Sequence, residues 1–172
     1  GFDGSYGGLW RRNGRPPQKL VGIGFTAQGV FEGMPYKRVC NDSAFDWVFN
    51  GIDDGPIGDF GFSGNGAAGF ELDRVDTKLD EGQDITILAQ SYDTRDTFML
   101  VPEEQLTHLT NLSGGSESDA KRADMVYFKT VSGGQVFSVG SITFCGSLPW
   151  NNFNNNVSRL LRNVIDRFIG TG

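Results

Sequence analysis

The segment ADMVYFKTVSGGQVFSVGSITFCGS, residues 123–147, is the part of the sequence that best indicates the fold. Two β-forming runs, ADMVYFKT and GQVFSVGSITFCGS, meet at the glycine-containing turn 131–134. Apolar runs separated by a short glycine turn are typical of a β-hairpin. The segment therefore predicts two antiparallel strands.

The apolar pattern near the C-terminus is helical. In NNVSRLLRNVIDRF, residues 155–168, apolar side chains recur at helical spacing: Val157, Leu160, Leu161, Val164, Ile165 and Phe168. The asparagines at 154–156 suit an N-cap, and Gly170 suits a helix end. We expect this apolar face to pack against the sheet that contains residues 135–145. Strands followed by an amphipathic helix predict an α/β fold, a layered sheet with flanking helices and long glycine-rich loops.

Other segments complete the predicted organisation. Residues 19–26 (KLVGIGFT), 84–92 (DITILAQSY) and 96–101 (DTFMLV) are short apolar runs and are predicted as strands. Residues 31–84 are rich in Gly, Asp and Phe without a sustained period, so we expect mostly ordered loop. Residues 109–124 are predicted to form a polar surface loop.

Composition limits the classes of function. The 172 residues are 38% apolar, which fits a single globular domain with a substantial core. The net charge of −6 argues against binding to nucleic acid, and the arginines at 11, 12 and 15 are expected to form a local salt-bridge or surface feature. No apolar run is long enough to span a bilayer. Cys40 and Cys145 are too far apart in sequence for a disulfide framework and predict free thiols in a reducing, cytoplasmic compartment.

The segment GNGAAGFELDR, residues 64–74, contains the spacing G-x-G-x-x-G that cradles phosphate in dinucleotide-binding proteins. That function requires an apolar strand before the first glycine and a helix N-terminus after the last, and neither is indicated here. The triplet Asp-Phe-Gly at 59–61 resembles a kinase motif, but no other kinase motif accompanies it. The glycines are instead expected to allow close backbone approach in a crowded loop that presents Phe70 and Glu71.

Carboxylates are the main candidates for chemistry. The single histidine, His108, is predicted near the end of a surface helix and has no motif partner for a catalytic triad. Glu71 follows Phe70, whose ring can shield the carboxyl group from water and strengthen it as a base. In the alternative interpretation, Glu71 pairs with Arg74 or lies exposed on a turn. Asp73 lies on the same face of an extended segment, but we expect it not to share the role of Glu71.

Five blocks of the sequence, taken in order, resemble a known family. They are GGLWRRNGRPPQKLVGIGFTAQG (7–29), IGDFGFSGNGAAGFELDR (57–74), RADMVYFKT (122–130), GSITFCGSL (140–148) and NNVSRLLRNVIDRF (155–168). Together they are similar to the C-terminal part of the large, catalytic subunit of N,N-dimethylformamidase and its relatives. The resemblance covers essentially the whole chain. It implies an amidohydrolase with a region resembling a class I glutamine amidotransferase-like domain.

The resemblance also implies how a site is divided between this chain and other parts of the enzyme. The family's iron is held by tyrosines and a glutamate, which are expected outside this chain, so no metal site is expected in residues 1–172. Glu71 falls at the position of the family's catalytic base, with Phe70 and Asn65 as candidate substrate-binding residues. The implied partners are the remainder of the large subunit, a small subunit, an oligomer and a small amide substrate. The chain itself is expected to be a single domain and a C-terminal fragment, inactive alone, and the segment Tyr92-Asp93-Thr94-Arg95 departs from the family pattern.

Two other functions stay open at this point. The chain could be a non-catalytic α/β module that packs on partner domains and stabilises an oligomer, with Trp10, Trp47 and Trp150 as docking residues. A free-standing amidotransferase-like hydrolase would need a nucleophilic cysteine. Cys145 is predicted on a strand and has no histidine close in sequence, which disfavours that reading.

Overall fold

The computed structural model of the protein describes residues 3–4, 10–102, 104 and 118–170. His108 and residues 109–117 of the predicted surface loop lie outside these ranges.

The described elements are short and mixed in type. The first are a 3-10 helix, Trp10–Asn13, and helix α1, Gln18–Val21. They are followed by β1 Gly24–Met34, β2 Tyr36–Arg38, the 3-10 helix Ser43–Phe49, β3 Ala68–Arg74, β4 Thr86–Ser91 and β5 Met99–Leu100. The last are β6 Asp124–Lys129, β7 Gln135–Ser138, α2 Phe144–Ser147, the 3-10 helix Trp150–Phe153 and α3 Asn156–Phe168. Within the described ranges, no helix is long and apolar enough to cross a membrane.

These strands form two sheets. The first has the order β3-β1-β5, and the second has the order β2-β4-β6-β7. Every pairing between these strands is antiparallel. A mixed α/β structure of sheets and helices confirms the predicted fold class. This arrangement does not confirm the resemblance to a class I glutamine amidotransferase-like domain, which stays an expectation.

The predicted hairpin is present, but its second strand is shorter than predicted. β6 and β7 pair from Val126 with Ser138 to Lys129 with Gln135. The chain then leaves the sheet, and residues 144–147 form α2 instead of continuing the strand. Ser141 explains the difference, because its hydroxyl bonds to the backbone of a distant strand, and such tertiary contacts override the local apolar pattern.

The apolar run at 19–26 is not a single strand. Pro17 precedes the turn of α1, because the fixed φ of proline suits a helix start, and Gly22, at φ 81°, ends that turn. β1 begins only at Gly24. The prediction of a strand was therefore wrong for the first half of this run and correct for the second half.

The region 31–84 contains more regular structure than predicted. β1 continues to Met34, and β3 lies within the glycine-rich part of the region. The predicted strands at 84–92 and 96–101 are confirmed as β4 and the shorter β5. β3 could not be predicted from the sequence, because glycine usually weakens a strand and this segment lies in a glycine-rich region.

The C-terminal helix is confirmed, but its neighbours differ from those predicted. The side chain of Asn155 caps α3 by accepting a hydrogen bond from the Ser158 N–H at 2.8 Å. The buried face consists of Val157, Leu160 and Val164, while Ile165 is 46% exposed. α3 packs chiefly on the 3-10 helix Ser43–Phe49 and on α2, and it reaches the four-stranded sheet through a ring contact between Phe168 and Tyr127.

Candidate functional site

The glycines of the 64–69 loop pack against the backbone of β1. Gly33 N–H donates a hydrogen bond to the Gly64 carbonyl at 2.6 Å. A Cβ atom on Gly33 would lie 2.5 Å from the backbone of Gly66, and one on Gly64 would lie 2.9 Å from the backbone of Glu32. Any larger residue would separate these two chain segments. The spacing G-x-G-x-x-G therefore brings two backbones together and fixes the start of β3.

The residue after this loop, Phe70, has an unusual backbone conformation. Its φ of 64° lies in the left-handed region, which costs a non-glycine residue about 1–3 kcal/mol. Opposite it, β1 bulges between Gln28 and Gly33 and carries Phe31 outward. The rings of Phe31 and Phe70 are 5.6 Å apart. The bulge and the left-handed residue together place an aromatic pair at the surface beside Glu71.

Glu71 lies directly after this strained residue and opposite Gln28. Its side chain is half-buried. Among the described residues, the carboxylate of Glu71 has no hydrogen bond or ion pair. The expected alternative, a pair with Arg74, is wrong, because Arg74 donates to Glu104 at 2.9 Å and to Asp76 at 3.3 Å. Side chains alternate along a strand, and Arg74 therefore lies on the opposite face from Glu71.

Arg74 belongs to a buried group of charges. Arg11 donates to Glu104 at 2.9 Å, and the side chains of Asp76 and Glu104 are 5% and 1% exposed. Arg11 thus forms a salt bridge, as expected for the arginines near the start of the chain, but its partners are remote in sequence and not local. Breaking a buried pair leaves an uncompensated charge, so this group of charges stabilises the face of β3 opposite Glu71.

The outer edge of β3 is held by the segment that follows β7. The Ser141 hydroxyl accepts a hydrogen bond from Gly69 N–H and donates one to the Gly69 carbonyl, both at 2.7 Å. Asp73 N–H donates to the Gly140 carbonyl at 2.8 Å. This role of Ser141 could not be recognised from the sequence, because its only local signal was the block GSITFCGSL. These bonds fix the backbone on both sides of Phe70 and Glu71.

Asp73 is the residue of β3 whose pKa is shifted by its surroundings. Burial raises the pKa of Asp73 from 3.8 to about 6, and the neighbouring charge of Glu71 adds to the effect. Burial also raises the pKa of Tyr36, and the charges of Asp124 and Asp73 raise it further, while the Gly140 backbone acts in the opposite direction. The sequence pattern predicted a shielded carboxyl group at Glu71 and gave no signal that burial would perturb Asp73 instead.

The other candidate residues are spread over the surface. Asn65 is exposed in a turn at φ 60°, a conformation that asparagine tolerates. Trp47 packs on Tyr127 with ring centroids 5.8 Å apart, whereas Trp10 is 65% exposed. Cys145 is exposed in α2 and not on a strand, and its potential partner His108 lies outside the described ranges. Substrate binding by Asn65 and Phe70 stays a prediction.

The described residues do not assemble a metal-ligand set. Nowhere in these ranges do three or more His, Cys, Asp or Glu side chains come together so that they could hold an ion. Two surface clefts of about 470 and 510 Å³ lie beside α3 and beside β4, and Glu71 lines neither of them. The carboxylate of Glu71 therefore lies outside both clefts.

Comparison with known proteins identifies the family. The chain belongs to the N,N-dimethylformamidase beta subunit-like, C-terminal family, whose model matches residues 1–157. It is 39% identical to the N,N-dimethylformamidase beta subunit of Paracoccus aminophilus and 37% identical to that of Alcaligenes sp.. Each match covers 97% of this chain and 22% of the relative. The family expectation is thus confirmed, with the beta subunit as the subunit named, and the designation large, catalytic subunit stays a prediction.

Proposed function

We propose that this chain forms one wall of the active site of an amidohydrolase that resembles N,N-dimethylformamidase, with Glu71 as the general base. The observation that carries the proposal is the placement of Glu71: a half-buried carboxylate with no partner among the described residues, next to the aromatic pair Phe70 and Phe31. The substrate is a small N-substituted amide, and the products are an acid and an amine. The two relatives named N,N-dimethylformamidase support this choice of substrate class.

The proposed chemistry uses one proton-accepting group. Glu71 takes a proton from a water molecule while the water oxygen attacks the carbonyl carbon of the amide. The protonated Glu71 then gives that proton to the amide nitrogen as the C–N bond breaks. Phe70 and Phe31 contact the N-alkyl groups and exclude bulk water, and the side-chain amide of Asn65 hydrogen-bonds to the substrate. The strained backbone at Phe70 fits such a role, because strain concentrates at functional sites.

Iron and the remaining partners are part of this proposal. The described residues offer no ligand set for a metal, so no step above runs through iron, whose ligands we place in other parts of the enzyme. The chain spans 22% of the length of its two relatives, which are named as beta subunits. We place the rest of the pocket on the remainder of the subunit and on partner subunits, in a cytoplasmic oligomer.

A conservative substitution at the base tests the proposal in the assembled enzyme. Glu71→Gln keeps the size of the side chain but removes its ability to accept a proton. We expect the turnover number for N,N-dimethylformamide to fall by about 10² to 10⁴, with unchanged thermal unfolding and iron content. Release of dimethylamine measures turnover. The control is Glu81→Gln, because Glu81 is an exposed carboxylate that pairs with Lys19. Wild-type turnover in Glu71→Gln would contradict the assignment.

The second candidate function is a non-catalytic module that packs on partner domains. The observation in its favour is a surface group of rings: Trp150 stacks on Phe60 at 5.9 Å and contacts Phe62 at 5.1 Å. Phe62 is 70% exposed. Exposed aromatic groups are typical of protein interfaces. Under this function Glu71→Gln would leave turnover unchanged, and the two candidates are therefore separated by the same experiment.

A further inference from the structure

The outer face of the three-stranded sheet carries a row of three side chains that includes Glu71. Gln28 of β1 pairs with Glu71 of β3 on one side and with Met99 of β5 on the other. Residues directly opposite each other in an antiparallel pair direct their side chains to the same face, with Cβ atoms about 4.5–5.5 Å apart. The next pair, Ala27 with Leu72, is buried on the other face. The side chain of Gln28 therefore lies beside that of Glu71.

The side-chain amide of Gln28 is available to a ligand. It is exposed, and within the described part of the chain it makes no hydrogen bond. The register places Phe25, Asp73 and Met99 on the same face, and none of these three side chains carries an N–H group. Gln28 is thus the N–H donor among the strand positions of this face, and it is next to the proposed base.

The backbone at Gln28 is held in place on both sides. β1 is the middle strand of its sheet, so Gln28 has a paired neighbour on each side. The following residue, Gly29, packs against the buried ring of Phe98, and a Cβ atom at Gly29 would lie 2.7 Å from that ring. A functional side chain on such a strand is positioned more precisely than one on a loop.

Apolar side chains surround the pair of Gln28 and Glu71. Met99 is 53% exposed at one end of the row, and Phe31 is 58% exposed beside Phe70 at the other. Apolar groups that are clustered on a surface are typical of binding sites. When a ligand and these groups exclude water, a hydrogen bond from Gln28 becomes stronger, because the local dielectric constant falls.

The amide substrate needs a donor as well as a base. An N,N-dialkyl amide has no N–H group, and its main hydrogen-bond acceptor is the carbonyl oxygen, with two lone pairs. When water attacks the carbonyl carbon, one electron pair of the C=O bond moves to this oxygen, which becomes negatively charged. A fixed N–H donor stabilises that charge, whereas a carboxylate such as Glu71 cannot.

We propose that Gln28 is a second catalytic residue: its side-chain N–H donates a hydrogen bond to the carbonyl oxygen of the amide while Glu71 takes the proton of the attacking water. This inference rests on the proposed function. When the C–N bond breaks, the electron pair on the oxygen restores the C=O bond, and Glu71 gives its proton to the nitrogen. The second lone pair of the oxygen is left for Asn65.

Gln28→Met tests this role in the assembled enzyme, because methionine keeps the length of the side chain and removes both N–H groups. We expect kcat for N,N-dimethylformamide to fall by about 10²- to 10³-fold. KM should change by less than about 3-fold, because the hydrogen bond strengthens as the charge on the oxygen develops. Gln28→Glu keeps the size of the side chain, supplies no donor when ionised, and should lose at least as much activity.

Gln135→Met is the matched control, since Gln135 lies on β7 of the other sheet and accepts a hydrogen bond from the Tyr127 hydroxyl at 2.7 Å. It should lower the melting temperature and leave kcat unchanged. Gln28→Met should do the reverse, because Gln28 is exposed and unbonded in the fold. A kcat within about 3-fold of wild type in Gln28→Met overturns the inference, and so does a rise in KM without a fall in kcat.

Failure of this inference can be distinguished from failure of the proposed function. If Glu71→Gln keeps wild-type turnover, the proposed function fails and this inference fails with it. If Glu71→Gln is inactive while Gln28→Met keeps wild-type kcat, only the role of Gln28 is overturned. Loss of kcat in both variants, with a double variant about as slow as the slower single one, supports both roles, because residues that act in one transition state are not additive.

Discussion

At the scale of single residues, β3 contains two residues whose local environment destabilises the fold. Phe70 has a φ of 64°, and Asp73 is shielded from water without a counter-charge among the residues that the structure describes. The backbone holds both residues in place, because Gly69, just before Phe70, is hydrogen-bonded to the Ser141 hydroxyl and Asp73 N–H donates to the Gly140 carbonyl. Strained and uncompensated residues of this kind are usually retained for activity, because selection for stability alone would replace them.

The cost of Asp73 can be measured as a change of stability with pH. Its folded-state pKa of about 6 is above the ordinary value of 3.8, so the fold favours the protonated form. The stability that this group contributes is complete below about pH 4 and is lost as the pH rises through about 6. Asp73→Asn carries no charge, and we therefore expect it to be more stable than wild type at pH 7.5, by up to about 3 kcal/mol for a shift of about two units.

Urea unfolding at about pH 4 and at pH 7.5 measures this difference. The gain in Asp73→Asn should be present at the higher pH and small at the lower pH, where aspartic acid and asparagine are both neutral. A gain of equal size at both pH values would show that it comes from packing and not from charge. A variant that is more stable and less active would be typical of a functional site.

At the scale of elements, the helix α3 rests on one narrow apolar face. Leu160 is fully buried, whereas its neighbour Leu161 is half-buried and lines the cleft of about 470 Å³ beside α3. We expect Leu160→Ala to cost about 2–5 kcal/mol of unfolding free energy, because it leaves a cavity between α3 and the elements beneath it. Leu161→Ala is the matched control, and its loss should be less than half as large. Equal losses in urea unfolding would contradict the assigned face.

Two elements, α3 and β3, show what the sequence can and cannot predict. α3 was predicted correctly because its signals are local: the spacing of apolar residues and the asparagine cap at 155. The elements on which α3 packs were not predicted correctly. The helical spacing includes Leu161 and Ile165 as well as the buried residues, so it does not show which side of the helix packs inward. β3 was missed because its strand character comes from pairing with β1 and from Ser141, both remote in sequence.

The candidate site could likewise be predicted only in part. Glu71 could be proposed from the resemblance and from its position after the glycine loop. The raised pKa of Asp73 could not, because it depends on burial by parts of the chain that are remote in sequence. A residue pattern along one strand predicts which side chains share a face, but it does not identify the group from another element that faces them.

At the scale of the whole molecule, one surface feature is a group of exposed aromatic side chains. We call Phe60, Phe62 and Trp150 the aromatic patch. Phe62 is 70% exposed and Trp150 is 37% exposed. The relatives are far longer than this chain, which spans 22% of their length. Within the larger enzyme proposed above, we expect another part of the protein to cover the aromatic patch, whether or not Glu71 is the base.

Phe62→Ser tests this expectation. Because Phe62 is largely exposed, the substitution should change the unfolding free energy of this chain by less than about 0.5 kcal/mol. An exposed aromatic residue at the centre of an interface contributes strongly to binding, so the dissociation constant for the remainder of the assembly should rise about 10-fold or more. Val131→Ser is the control, since Val131 is an apolar residue in the β6–β7 turn that is even more exposed than Phe62. Isothermal titration of wild type and both variants measures the three constants, and equal values would show that the aromatic patch is not an interface.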